Sequence, residues 1–150
     1  MGETERRLEY LCEDRSRGSS EILVDLLEAL LDLLSRGASK AEVLRWVERI
    51  GRAHPFMASI LLLKKRISEG DALSAVEAML TELKNSRQII AREFSSLAAE
   101  LNISRVITLS RSGTVLSCLT ECWSDGLLKE VVVAESRPGA EGVEAALLLS

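Results

Sequence analysis

Apolar residues recur every three or four positions through the first hundred residues, and then the period changes. From Met1 to Arg17 a thin stripe of Leu8, Leu11 and Cys12 predicts a short charged helix. Arg17-Gly18-Ser19-Ser20 breaks it and offers hydroxyls for the next N-cap. Between Glu21 and Arg36 the leucines 23, 26, 27, 30, 31 and 34 form one face, and Glu21, Asp25, Glu28 and Asp32 the other. Gly37 stops that helix, and Ser39 with Glu42 reads as a capping box for a third. Its inner face is Val43, Leu44, Val47 and Ile50, with Gly51 as its end. His54-Pro55 then opens a fourth helix, with proline in the first turn where it needs no donor. That helix carries Met57, Ile60, Leu61 and Leu63 before Lys64-Lys65-Arg66. From Leu73 to Leu101 the apolar positions alternate by three and four with only Arg87 out of character, which predicts one helix about 45 Å long. A helix of that length needs packing partners, so the first 102 residues read as a helical bundle.

After Asn102 short apolar runs replace the long stripes. Val106-Ile107-Thr108-Leu109 and Val131-Val132-Val133-Ala134 read as buried strands. Between them Val115, Leu116, Leu119 and Trp123 mark a helix ended by Asp125-Gly126, and Glu141 to Leu149 begins another. A β-α-β-α order implies parallel strands joined by a right-handed crossover. Two parallel strands alone do not make a stable sheet. The chain also stops at Leu147-Leu148-Leu149-Ser150 inside an apolar helix, so the natural unit is expected to be larger, or to be completed by another chain.

Composition narrows the function classes. Lys and Arg number 19 against 23 Asp and Glu, a net charge of −4, which speaks against a general nucleic-acid binder. Aromatics at 3% leave little for stacking on single-stranded RNA. No apolar run reaches the roughly 18 residues of a membrane span, and the charged first seventeen residues do not read as a secretory signal. Three cysteines at irregular spacing suggest a reducing compartment, hence a cytoplasmic protein. Cys118 and Cys122 stand four apart on one helix, but with a single His in the chain they are too few for a metal site and read as small buried hydrophobes. No metal and no cofactor is expected. Arg87 reads as a side chain reaching out at the bundle edge, Lys64-Lys65-Arg66 as a solvated helix end, and Trp46 and Trp123 as packing residues.

The candidate chemistry lies where strands end. In open α/β sheets ligands sit beyond the carboxyl ends of the strands, and helix N-termini present free N–H groups that favour anions. Ser110, Arg111, Ser112 and Gly113 follow the first strand; Ser136, Arg137 and Gly139 follow the second. Arg17, Gly18 and Ser19 form a third turn of the same kind. Arginine grips phosphate with two parallel donors. The bland alternative is that Ser and Gly cap helices while Arg faces water.

These segments carry a resemblance. Val106 to Ser112, Val132 to Pro138 and Glu141-Gly142 resemble the translation initiation factor 2B alpha/beta/delta family, and Arg17-Gly18-Ser19 and the Pro55 to Lys65 helix fit its N-terminal part. That family includes regulatory subunits of the guanine-nucleotide exchange factor for initiation factor 2, together with ribose-1,5-bisphosphate and methylthioribose-1-phosphate isomerases. The resemblance implies an α + α/β fold: an N-terminal helical bundle over 1–102, then, over 103–150, the first β-α-β-α unit of a Rossmann-like parallel sheet. It covers about the first half of a usual family member.

Departures from the pattern direct the functional expectation. The isomerases place a Cys after a Thr-His pair, where this chain has Thr108, Leu109 and Ser110, and they use a later Asp outside these residues. A serine hydroxyl does not replace a thiol in proton transfer without an activating base. His54 stands where an Arg before proline helps bind phosphate. The resemblance therefore leans toward a regulatory, non-catalytic subunit acting in translation initiation. Its implied partners are initiation factor 2-type subunits or family paralogues, in a homo- or hetero-oligomer. A sugar phosphate or nucleotide is the implied ligand of the strand ends and of Arg17, Gly18, Ser19 and His54. The alternatives are a sugar-phosphate isomerase or a non-catalytic split fragment of one. No catalytic residue is assigned.

Overall fold

The computed structural model describes residues 2–109 and 111–150. Its element order is five helices, then strand, helix, strand, helix, as the hydrophobic pattern predicts. The chain divides into two compact units, 1–83 and 84–150.

The first unit holds α1 (Glu3–Glu13), α2 (Ser19–Ser35), α3 (Lys40–Ala53), α4 (Ala58–Glu69) and the beginning of α5 (Ala72–Glu100). Its core takes Leu23, Leu26, Leu27 and Leu30 from the predicted face of α2, with Ile22 and Leu33 in place of the only partly buried Leu31 and Leu34, and adds Leu8 and Leu11 of α1, Val43, Val47 and Ile50 of α3, and Ile60, Leu63 and Ile67 of α4. The Ser39 hydroxyl accepts from the Glu42 N–H and so caps α3. Helix α1 stops at Glu13, four residues short of the expected end. The Asp14 carboxylate accepts from the N–H groups of Ser16 and Arg17 and turns the backbone out of the helix.

Two other expectations need correcting. Gly51 does not end α3, which continues to Ala53, because the Gly51 site faces Ile60 of α4 and leaves the two helices room to pack. Pro55 does not open α4. The Met57 N–H bonds the His54 carbonyl across a Pro55-Phe56 turn, and the helix begins at Ala58. Trp46 is partly buried against the core, with Arg49 over its ring.

The second unit contains the rest of α5, β1 (Arg105–Thr108), α6 (Gly113–Ser124), β2 (Glu130–Val133) and α7 (Glu141–Leu149). The strands pair in parallel, from Arg105 opposite Glu130 to Thr108 opposite Val133. Ala98 of α5, Leu119 and Cys122 of α6 and Leu128 form the core, joined by Phe94, Val106 and Val131. Cys118 and Cys122 are buried, as expected of small hydrophobes, and burial raises both thiol pKa values. Ser95 of α5 donates to the Asp125 carboxylate at the end of α6.

The predicted stripe of α5 is only partly the buried one. Val76 is fully buried in the first unit, but Leu73, Ile90, Leu97 and Leu101 are exposed, while Ala91, Ser95 and Ala98 lie inside. The second unit packs small side chains against its strands and α6, a choice that a search for large apolar residues overlooks. Trp123 is likewise more than half exposed. No described helix is long and apolar enough to cross a membrane.

Candidate functional site

The parallel register puts the carboxyl ends of β1 and β2 side by side. The Ala134 N–H bonds the Thr108 carbonyl at 2.9 Å and extends the ladder one residue past the strands. The Ser136 hydroxyl then donates to the Leu109 carbonyl, tying the turn after β2 to the turn after β1. Ser136 holds this position with φ +60°, a left-handed conformation that costs a non-glycine residue about 1 kcal/mol. Ala140 is left-handed as well and serves as the N-cap of α7.

Helix α7 is set against the end of β2 by a close approach. A Cβ built on Gly142 would stand 1.7 Å from the Ala134 carbonyl oxygen, so only glycine fits. Gly142 donates its N–H to the Glu135 carbonyl at 3.2 Å. The seating carries Glu144 to Arg111: their Oε2 and Nε lie 3.2 Å apart, and the Arg111 side chain is 14% exposed. Arg137 points the other way chemically. Its side chain is 80% exposed, and its Nε donates to Glu135 at 2.8 Å. Ser112 caps α6, its hydroxyl accepting from the Val115 N–H at 3.5 Å, and Gly113 is the buried first residue of that helix. Ser110 lies outside the described residues. Among the described candidates of this unit, Arg111, Ser112, Gly113, Ser136 and Arg137 all belong to the two joined turns.

The first unit carries the other candidates. Arg17 spans two carboxylates: its Nε donates to Asp14 and its Nη1 to Asp25 at 2.9 Å, while its guanidinium lies over the Tyr10 ring. Its Nη2 is buried without a hydrogen-bond partner among the described residues. Arg7 reaches the same Asp25 and also Glu28. Burial would raise the Asp14 carboxyl pKa, but the bonds from Arg17 and Ser16 outweigh it and hold the group far below the usual range. Asp25 is lowered by the same contest, with Arg7 and Arg17 overcoming its desolvation. Gly18 is the N-cap of α2, its N–H donating to the Glu21 carboxylate at 3.1 Å, and Ser19 is the first helical residue. The His54 ring donates through Nε2 to the Leu11 carbonyl at 2.7 Å, which places its proton on that nitrogen and pins the end of α3 to α1.

Sequence reasoning missed four of these participants: Asp14, Asp25, Glu144 and the packing role of Gly142. Asp14 had a local signal, since an acid two residues before Ser16 and three before Arg17 is the pattern of a side chain that closes its own turn. Asp25 and Glu144 had none, because each meets its arginine through tertiary packing. A cavity of about 290 Å³ also lies within the second unit, walled by Leu119, Trp123, Val131, Val133 and Leu149. It is apolar and contains none of the candidate residues, so it does not suit an anion.

Comparison with known proteins then gives the chain relatives. It matches the Initiation factor 2 subunit family over residues 15–150. No curated protein matches it. Among solved structures it is similar to the translation initiation factor eIF-2B of Pyrococcus horikoshii OT3, with 24% identity and a TM-score of 0.71 over 99% of this chain and 56% of that one. It is also similar to the tetrameric eIF2B-beta2-delta2 complex from C. thermophilum, with 19% identity and a TM-score of 0.62 over 99% of this chain and 56% of the other. A third is eIF2B delta from Chaetomium thermophilum, with 20% identity and a TM-score of 0.56 over 97% and 63%. These likenesses are likenesses of fold, and the chain spans a little over half the length of the first two.

Proposed function

The chain belongs to the initiation factor 2 subunit family, and on that premise we propose that it is a regulatory, binding subunit of the 2B type, cytoplasmic and without catalytic residues of its own. It acts in translation initiation through protein–protein contacts with initiation factor 2-type subunits or with paralogues. One solved neighbour is a tetramer of two subunit types, which supports an oligomeric reading. In this reading residues 1–102 are the helical half and 103–150 open the Rossmann-like half.

The ligand assigned to the strand tips is an anionic small molecule, a sugar phosphate or a nucleotide. The observation that carries it is the Ser136-to-Leu109 hydrogen bond, which joins two serine–arginine turns at one edge of a parallel sheet. Arg137, Ser112 and Gly113 are its proposed contacts there, with Ser110 and Arg111; Arg17, Gly18, Ser19 and His54 are proposed separately, as anion contacts of the first unit taken by itself. Exposed Arg137 is free to turn toward a phosphate, and the N-terminus of α6 adds backbone donors.

Two measurements test the reading. Purified initiation factor 2 subunits and 2B-type paralogues are presented to the immobilised chain, and stable capture of at least one is expected. Calorimetric titration with ribose 1,5-bisphosphate and with a nucleoside monophosphate is expected to give binding that Arg137→Ala weakens by roughly tenfold. Failure to capture any subunit overturns the regulatory reading. Binding unchanged by Arg137→Ala removes the strand tips as the site, and turnover of the bisphosphate would make the chain an isomerase.

A further inference from the structure

The charge of this chain is segregated. Between residues 36 and 66 eight Lys and Arg stand against two Glu, a local net of +6 in a chain whose total is −4. The stretch builds α3 and α4. Part of it is neutralised within the first unit: Arg36 pairs with Asp32, Arg49 with Glu9, Lys64 with Glu48 and Arg66 with Glu82. Lys40 bonds the carbonyls of Ser68 and Gly70. Arg45, Arg52 and Lys65 are exposed and form no ion pair within 4 Å among the described residues.

Arg52 borders a groove, together with the Lys64–Glu48 pair. Val47, Gly51 and Ile60 line an opening of about 400 Å³ between α3 and α4, with Leu61, Arg52 and Lys64 at its sides. A Cβ on Gly51, in the last turn of α3, would stand 3.4 Å from Ile60 Cγ2, about ordinary contact, so glycine leaves the floor one methyl deeper. Apolar surface flanks the opening. Leu61 is 64% exposed, and Phe56 in the preceding turn is 99% exposed. Pro55 lines the opening, and the next residue in the chain, Phe56, leaves its ring wholly in water; with exposed Leu61 and Arg52 this is the composition of a recognition surface.

We infer that the α3–α4 groove docks an acidic segment of a partner protein, which sets an apolar side chain against Leu61 and Phe56 and its carboxylates against Arg52, Lys64 and Lys65. Charge complementarity selects the acid: the groove is the basic face of an acidic protein. A protein segment fits better than RNA for two reasons. The floor is apolar, and one phenyl ring cannot stack successive bases. The surface lies wholly within the first unit and is independent of the strand-tip ligand.

The test uses the full chain as bait for a library of random dodecapeptides, followed by fluorescence anisotropy of the best binder. Selected sequences are expected to combine Asp or Glu with Leu, Met or Phe, and binding is expected to weaken as salt rises. Leu61→Asp and Arg52→Glu are each expected to reduce affinity roughly tenfold. Both sites are exposed, and a thermal melt matching the parent confirms the fold; Lys65→Glu replaces either variant if it melts early. The inference is overturned if no peptide is enriched, if the enriched peptides are basic or uncharged, or if the variants bind within about twofold of the parent. It is also overturned if a uridine dodecamer binds more tightly than the best peptide.

Discussion

Replacing Gly142 by alanine tests the seating of α7 with opposite signs for two outcomes. Taken alone, Gly→Ala inside a helix stabilises by about 0.5–1 kcal/mol. Here the new Cβ would lie 1.7 Å from the Ala134 oxygen and 2.7 Å from the Ala134 carbonyl carbon, whereas real Cβ contacts essentially never fall below 3.0 Å. The obstacles are backbone atoms at the end of β2, so no side chain can swing away. Helix and strand must separate by about 1.3 Å, the difference between 3.0 and 1.7 Å. That opens the contacts of buried Ala145 and draws Glu144 away from Arg111. Overpacking of this kind costs about 3 kcal/mol, the upper part of its usual range. For a unit the size of residues 84–150 each kcal/mol corresponds to roughly 4–8 °C in Tm, so a fall of about 12 °C or more is expected. Far-UV circular dichroism during heating and in urea measures it. A rise in Tm, or a loss under about 4 °C, would refute the close approach of α7 to β2.

Three further outcomes follow from the same geometry. Asp14→Asn is expected to destabilise by about 2 kcal/mol, because Arg17 keeps its pair with Asp25 but loses the charge-assisted bond to a nearly buried carboxylate; urea unfolding of the single variant measures it. Asp14 and Asp25 both have folded-state pKa values below the ordinary one, so the unfolded chain binds more protons at acid pH; the stability they contribute is whole above about pH 5, begins to erode near pH 4 and is lost only as pH falls on through the lowered folded-state values, and Asp14→Asn flattens that fall in urea midpoints taken from about pH 2 to 7. Ser136→Ala is expected to cost about 1 kcal/mol by losing the bond to Leu109, whereas Ser136→Gly loses the same bond but relieves the φ of +60° and comes out near neutral, so equal melting temperatures for the two variants would contradict the left-handed turn.

What the sequence allowed, and what it did not, divides along local and tertiary lines. The leucine face of α2, the Ser39 cap and the 29-residue continuity of α5 were legible because each depends on residues a few positions apart. So was the β-α-β-α order, from the change of period after Asn102. The start of α4 was not, because proline at a first turn and proline in the turn before it look alike until the Met57 N–H is seen to bond His54. The inner face of the second half of α5 was hidden for another reason: Ala91, Ser95 and Ala98 carry little hydrophobic weight but allow the closest packing. Of the candidate site, the hydroxyls and arginines were legible and the carboxylates that claim them were not. Arg17 looks alike in sequence whether it faces a phosphate or is shared between Asp14 and Asp25.

That last distinction bears on how the strand tips work. Their shape is set mainly by backbone: the ladder bond from Ala134 to Thr108, the left-handed Ser136 and the glycine approach at 142. The charges are placed on that frame afterwards, and they differ in freedom. Arg111 is mostly buried and paired with Glu144, so moving it requires shifting a side chain seated on α7. Among the described residues Arg137 is paired with its neighbour Glu135 in open solvent, a pairing worth at most about 1 kcal/mol. An incoming anion would therefore recruit Arg137 at little cost and meet Arg111 as a fixed element. On this argument Arg137→Ala lowers affinity while leaving the melting temperature unchanged, and Glu144→Gln alters the environment of Arg111 without opening the turns. A Tm lowered by several degrees in Arg137→Ala would mean that the exposed arginine supports the fold and that the division between frame and charge is wrong.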